Sequence, residues 1–170
     1  MAAEGNSCWL PDLRGTGESL LPLAEANWDG WRHDVGTACD HVRARSGLAP
    51  LLAALRGGGL IDDAAAAIGR WRLAPVDGAS LVRDMERAGL AGVEWAGYRA
   101  STDVRGRLAD AKPYTQTPLR TVRLATDAGA ADHKITGPAL WRRSEPGNST
   151  ELAEAMVADI ADWHATCAAS

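Results

Sequence analysis

The sequence predicts a single globular α/β domain, and three observations lead there. Short apolar runs that read as strands alternate with longer segments of helical period. The composition, 46% hydrophobic and 24% charged over 170 residues, is ordinary for a globular protein and argues against disorder, collagen-like repeats and disulfide scaffolds. The length suits one domain spanning residues 1–170, large enough to bury roughly two thirds of the surface its unfolded chain exposes.

The first candidate element is the apolar stretch Cys8-Trp9-Leu10, which runs into the glycine turn Gly15-Thr16-Gly17 and reads as a strand ending in a loop. Asn27 is placed to cap a helix from Trp28 to about Arg45, because Trp28, Trp31, Val35, Ala38, Cys39 and Val42 share one arc; Gly47 stops it. The opposite face carries Asp29, His33 and Asp40, read as a solvated polar face rather than a metal site. Leu51 to Leu55 reads as a strand before Arg56-Gly57-Gly58-Gly59. An Ala-rich helix is expected from about Leu60 to Trp71, with Asp62 and Asp63 at the positive end of its dipole. Asp77 caps a further helix through Ala88, with Leu81, Val82 and Met85 inward and Gly89-Leu90 as its stop. Val93 to Tyr98 reads as a strand, residues 101–118 as a polar internal connection, and Leu119 to Thr126 and His133 to Trp141 as two more strands. Six residues, Asp127 to Asp132, separate those two strands. A parallel crossover takes about a dozen, so the pair is expected to be a hairpin or to have lost a helix. Asn148 with Glu151 reads as a capping box for a last helix to about Cys167, with Leu152, Met156, Ile160 and Trp163 on one face.

Charge and cysteine content exclude several functions. The net charge is −4, and only residues 68–123 are basic, with 10 basic against 6 acidic side chains. That is far from the dense cationic stripe that nucleic acid requires. Cys8, Cys39 and Cys167 are odd in number with no C-x-x-C spacing, and no leader opens the chain. The expectation is therefore a cytoplasmic protein without disulfides, and no apolar run is long enough to span a bilayer. The chain has seven Trp and no Phe, and only Lys112 and Lys134 are lysines. GC-rich coding explains this usage and leaves Trp as the bulky core residue. The glycine turn lacks the lysine and G-x-x-x-x-G-K-[ST] spacing of a nucleotide site, and no cofactor is expected.

Five segments together carry a family resemblance. They are Asp12-Leu13-Arg14-Gly15-Thr16-Gly17-Glu18-Ser19, Trp28-Asp29-Gly30-Trp31-Arg32-His33-Asp34, Ala54-Leu55-Arg56-Gly57-Gly58, Glu94-Trp95-Ala96-Gly97-Tyr98 and Thr136-Gly137-Pro138-Ala139-Leu140-Trp141. In this order the chain resembles the α/β-hydrolase superfamily, and more narrowly the second type of the exosortase A system-associated hydrolases of bacteria. The resemblance implies an α/β-hydrolase-like fold, a mainly parallel sheet flanked by helices, here lacking the opening strands and much of the cap region. It also implies a role in exopolysaccharide production and in sorting of exosortase-tagged proteins. Asp12, Arg14, Gly15, Gly17, Trp28, Trp31, Gly137 and Trp141 are its structural motif residues.

The resemblance places the nucleophile elbow, G-x-S-x-G in active hydrolases, at Arg56. Guanidinium stays protonated and has no lone pair to attack a carbonyl, so a pseudoenzyme without serine-hydrolase activity is expected; the resemblance implies that arginine is typical at this place in the subgroup. The loop that should supply the histidine, Gly137 to Trp141, has none; His133 and His164 lie elsewhere. Asp127, at the end of the 119–126 strand, is the nearest counterpart of the triad acid. Arg56, Gly57 and Gly58 are the candidate ligand contacts, suited to a small anion or an acyl-type ligand; the alternative is an ion pair from Arg56 to a carboxylate such as Asp62. Two other functions compete. One is a winged-helix DNA-binding regulator built on residues 60–71 and 77–88, with Val93 to Ala100 as its wing. The other is a non-functional fragment of a longer hydrolase. Exposed sheet edges further suggest a homo-oligomer or a partner protein that covers them.

Overall fold

The structure, a computed structural model, describes residues 7–88, 98–142 and 147–169. Eight main elements follow in the order α1 (Trp28–Ser46), β1 (Leu51–Leu55), β2 (Gly69–Leu73), α2 (Gly78–Ala88), α3 (Thr102–Asp110), β3 (Leu119–Leu124), β4 (His133–Ile135) and α4 (Thr150–Ala168). The strands form one sheet ordered β1-β2-β3-β4, and all three pairs are parallel. An α/β fold with a parallel sheet and flanking helices is thus what the chain adopts. Among the described residues no helix is long and apolar enough to cross a membrane.

The sheet is organised by β2, whose five residues are all buried. Side chains alternate across a strand, so its Gly-Arg-Trp-Arg-Leu sequence sends Trp71 and Leu73 to one face and Arg70 and Arg72 to the other. On the first face Trp71 and Leu73 pack with Val122, Leu124 and Ile135 of the sheet and with Leu152 and Ile160 of α4. There Trp71 Nε1 donates to Asp159 Oδ2 at 2.7 Å. Arg120, its register neighbour on β3, binds the same carboxylate through Nε at 3.1 Å and Nη2 at 2.5 Å. On the second face Arg72 grips the Asp62 carboxylate through Nη2 at 2.6 Å and Nε at 2.9 Å, and donates to the Tyr114 carbonyl. A second cluster, Trp28, Leu60, Ile61 and Leu108, joined by Trp31, Val35, Leu81 and Met85, is built on this β1–β2 connection.

The helices begin where side chains satisfy their free amides. Asn27 Oδ1 accepts from Gly30 N at 2.7 Å, and α1 closes at Gly47 in left-handed backbone. Asp77 Oδ1 accepts from Ser80 N at 2.7 Å at the start of α2. Trp28, Trp71, Trp31, Trp141 and Trp163 pack in the two clusters, as expected of core residues, whereas Trp9 is half exposed beside His41 and Arg45.

Several expectations are corrected. Residues 8–13 form no strand: Leu10 is 94% exposed, so extension there buries nothing. The helix expected from Leu60 to Trp71 is absent. Arg56–Leu60 is one 3-10 turn, and Gly69–Leu73 is β2. A helix would bond its carbonyls to amides four residues on; here Arg70 takes the Asp62 and Ala65 carbonyls and Arg43 takes that of Ala66. Asp62 and Asp63 therefore pair with arginines instead of sitting on a helix dipole, and the winged-helix reading loses its first helix. Residues 101–118 contain α3, because Ser101 Oγ accepts from Val104 N at 3.2 Å and Val104 and Leu108, one turn apart, are both buried. The last strand stops at Ile135, short of Trp141, and Leu140–Arg142 is a 3-10 turn. Of the two alternatives for β3 and β4, the hairpin is excluded: they pair in parallel with no helix between them, and a short loop, in which Asp132 accepts from the Thr121 amide, returns the chain. The cap of α4 is Ser149, one residue after Asn148, with Oγ accepting from Leu152 N at 3.2 Å. Gly89-Leu90 and nearly all of the Val93 to Tyr98 segment lie outside the described residues.

The Asp62–Arg72 pair is buried on both sides, at 5% and 2% side-chain exposure, so removing one partner strands a charge. Asp62→Ala is expected to lower stability by about 3–5 kcal/mol, and Asp62→Leu with Arg72→Met to recover most of that. Urea unfolding of the single and double variants measures the difference; equal losses would contradict the buried-charge account.

Candidate functional site

The sequence-derived site falls where the chain leaves the C-terminal ends of parallel strands, the edge at which open α/β sheets bind ligands. Arg56 follows β1 directly with φ 47°, and Ala74 follows β2 with φ 48°. Left-handed backbone at a residue with a Cβ costs on the order of 1–3 kcal/mol and persists only where surrounding structure imposes it. At Arg56 that imposition is visible. A Cβ on the next residue, Gly57, would lie 2.5 Å from Leu81 Cδ1 of α2, so the turn packs directly against α2 and a side chain there would displace Leu81. Gly58 stands against Ala54, 3.3 Å from where its own Cβ would be.

Arg56 Nη2 donates to Asp84 Oδ2 of α2 at 2.9 Å. The alternative of an ion pair to a nearby carboxylate is thus what Arg56 makes, with Asp84 as the partner in place of Asp62, which Arg72 holds. The guanidinium carbon lies 5.5 Å from the Trp141 ring centroid, within cation–π range. Arg56 is 20% exposed and Asp84 52%, so the pair stabilises by at most about 1 kcal/mol. Among the described residues Nε and Nη1 of Arg56 have no acceptor, and neither does the buried Nε1 of Trp141. Arg56 therefore keeps two donors without matching acceptors, while the Trp141 Nε1 is closed off from solvent. No local sequence signal marks Asp84, which sits on the polar face of an amphipathic helix.

Asp127 follows β3 as expected, but its carboxylate accepts from Arg123 Nη1 at 2.9 Å and Gly129 N at 2.9 Å. It shapes its own loop. His133 lies 3.8 Å from Asp159, on the α4 side of the sheet. His164 lies in α4, half-buried. The structure thus brings Arg56 and Trp141 together and leaves Asp127 and both histidines out. Asp29 is taken by Arg32 and Arg107, and Asp40 by Arg43.

The motif residues near the N-terminus form one locked unit. Arg14 binds Asp34 of α1 through Nε at 3.0 Å, Nη2 at 2.6 Å and its own amide at 2.9 Å. Trp31 Nε1 donates to the Arg14 carbonyl at 2.9 Å. Gly15, at φ 81°, brings the loop so close to Leu23 that a Cβ would lie 2.8 Å from its Cα. Asp12 Oδ2 accepts from Glu18 N at 3.1 Å and lies against Gly17. The first two motifs therefore fasten the loop to α1, and the third meets the fifth through Arg56 and Trp141. Gly137, at φ 132°, seats the fifth against Leu152 of α4. Of the fourth only Tyr98 is described.

Two cavities lie elsewhere. One of about 670 Å³ between α1 and α3 is lined by Trp28, Arg32, Asp63, Arg107, Lys112 and Tyr114 among others. Much of its charge is internally paired, Arg32 binding Asp63 at 2.7 Å. The other, about 390 Å³, lies under the 12–21 loop beside Asp12, Arg14 and Asp34. Among the described residues no group of three or more His, Cys, Asp or Glu side chains could hold a metal ion.

Compared with protein-family models, curated proteins and solved structures, the chain matches none.

The hydrogen bonds from Arg14 hold the Asp34 carboxyl below its ordinary value, against the opposing effect of burial. A depressed carboxylate contributes stability that is present above its unfolded pKa, about 3.9, and lost as pH falls through the folded value. Asp34→Asn is therefore expected to cost roughly 1–2 kcal/mol at neutral pH, and progressively less below about pH 4. Thermal unfolding of both proteins across that range checks it, and a pH-independent difference would refute the assignment.

Proposed function

We propose that this chain is an α/β-hydrolase-like domain of the exosortase-associated type, serving an exopolysaccharide system, and that its elbow binds an anion in place of cleaving an ester. The observation that carries the reading is Arg56 itself, held at φ 47° immediately after a parallel strand. That is the strained turn on which hydrolases display their serine. Further support comes from chain order: Arg56, Asp127 and the 136–141 loop follow β1, β3 and β4, the order of nucleophile, acid and histidine in that superfamily. A guanidinium at the first place and no histidine at the third close the acyl-enzyme route.

What remains is recognition. Arg56 offers Nε and Nη1, with the Trp141 ring beside them. Donors with no paired acceptor suit a carboxylate or phosphate better than a neutral ester. Inorganic phosphate and butyrate are the probes, titrated calorimetrically into the parent and Arg56→Ala. Alanine meets the same left-handed backbone demand as arginine, so the comparison isolates the side chain. The expected results are no saturable hydrolysis of short acyl esters and at least tenfold weaker anion binding in Arg56→Ala at an unchanged melting temperature. A saturable esterase rate that survives Arg56→Ala, or anion binding indifferent to it, would overturn the proposal.

A further inference from the structure

The two end strands of the sheet are finished differently. β4 is three residues long and exposes His133 and Lys134, the short, charged ending that discourages pairing with another chain. β1 is five residues long and reads Leu-Leu-Ala-Ala-Leu. Its register partners are all in β2, so its outer edge has backbone donors and acceptors with no strand beside them among the described residues. No charged side chain occurs from Ser46 to Leu55. On the α4 face Ala53 and Leu55 stay open, Leu55 at 50% exposure, and Leu48 just before the strand is 70% exposed.

The pattern of β1 matches itself. Laid antiparallel about a two-fold axis at Ala53, Leu51 stands opposite Leu55, Leu52 opposite Ala54, and Ala53 opposite its own copy. Odd residues meet odd residues, so the face that carries Ala53 and Leu55 is continuous across the junction. A small side chain stands opposite a large one at Leu52 and Ala54. No like charges face each other along the strand. The two Arg56 residues lie outside the paired region, about 20 Å apart at the rise of a strand, beyond the screening length at physiological salt. We propose that β1 pairs antiparallel with β1 of a second copy of this chain, joining two four-stranded sheets into one of eight in a closed, two-fold dimer.

Sedimentation equilibrium of the full chain across low- to high-micromolar concentration is the test. A reversible dimer is expected. Ala53→Lys and Leu55→Lys, each at an exposed position, should weaken it at least tenfold with unchanged near-UV circular dichroism, while Lys134→Ala on β4 leaves it intact. With Cys8→Ser removing the exposed native thiol, Ala53→Cys should oxidise to a covalent dimer, because Ala53 opposes its own copy. A monomer at every concentration, a dimer indifferent to both lysine variants, or failure of Ala53→Cys to cross-link in a protein that dimerises would each overturn the proposal.

Discussion

The fold depends on how one strand, β2, places two arginines and a tryptophan between two buried carboxylates. Asp159 on α4 accepts from Trp71 Nε1 and Arg120, and Asp62 on the β1–β2 connection accepts from Arg72. α4 and the β1–β2 connection are thereby fixed to the sheet by charges that cannot return to water without leaving a partner stranded. Burial pushes the Asp62 carboxyl above its ordinary value even though Arg72 and Arg70 pull it down. The pair is thus a constraint on geometry more than a source of stability, in keeping with the high desolvation cost of buried ions. Apolar packing around Trp71, Leu73, Val122 and Ile160 supplies the driving force; the carboxylates decide which arrangement of that packing is allowed.

The same strand explains which parts of the fold were legible in the sequence. α1 and α2 were readable because a cap, an apolar stripe and, for α1, a glycine stop agree in each. β1 and β3 were readable as short apolar runs between turn residues. β2 was not, because Ala64 to Ala67 carries the composition of a helix and Arg-Trp-Arg-Leu lacks the β-branched residues that mark a buried parallel strand. Its evidence was the alternation of Arg70, Trp71, Arg72 and Leu73, meaningful only once Asp62 and Asp159 stand on opposite faces. α3 was hidden by a related effect. Its apolar content is Val104 and Leu108 amid polar residues, and the contacts that hold it come from α1 and α2, with Asp103 accepting from the Trp28 amide at 2.8 Å.

At the candidate site the sequence located the turn and missed the neighbours. Arg56 stands out as a residue type that its motif does not expect, and glycines on its C-terminal side mark a tight backbone. Asp84 and Trp141 approach it from elements 28 and 85 residues further along, which no spacing rule connects. The N-terminal motif behaves in the opposite way. Asp12, Arg14, Gly15 and Gly17, expected as structural motif residues, use almost every polar group they offer within the loop or on α1. Donors satisfied within the protein hold the loop in place, whereas Arg56 keeps Nε and Nη1 without an acceptor among the described residues.

These two findings are linked by strain. Arg56 and Ala74 hold left-handed backbone directly after neighbouring strands, and such conformations survive only where flanking structure leaves no relaxed alternative. β2 provides that rigidity for both. Its register fixes β1 residue by residue up to Leu55, and its buried end sets Ala74, whose amide donates to the Val122 carbonyl at 2.8 Å. Loosening the Asp62 or Asp159 anchors would let the strand ends shift and the two turns relax. The buried carboxylates thus act on the turn without touching it: they hold the strand ends from which Arg56 is displayed beside Trp141.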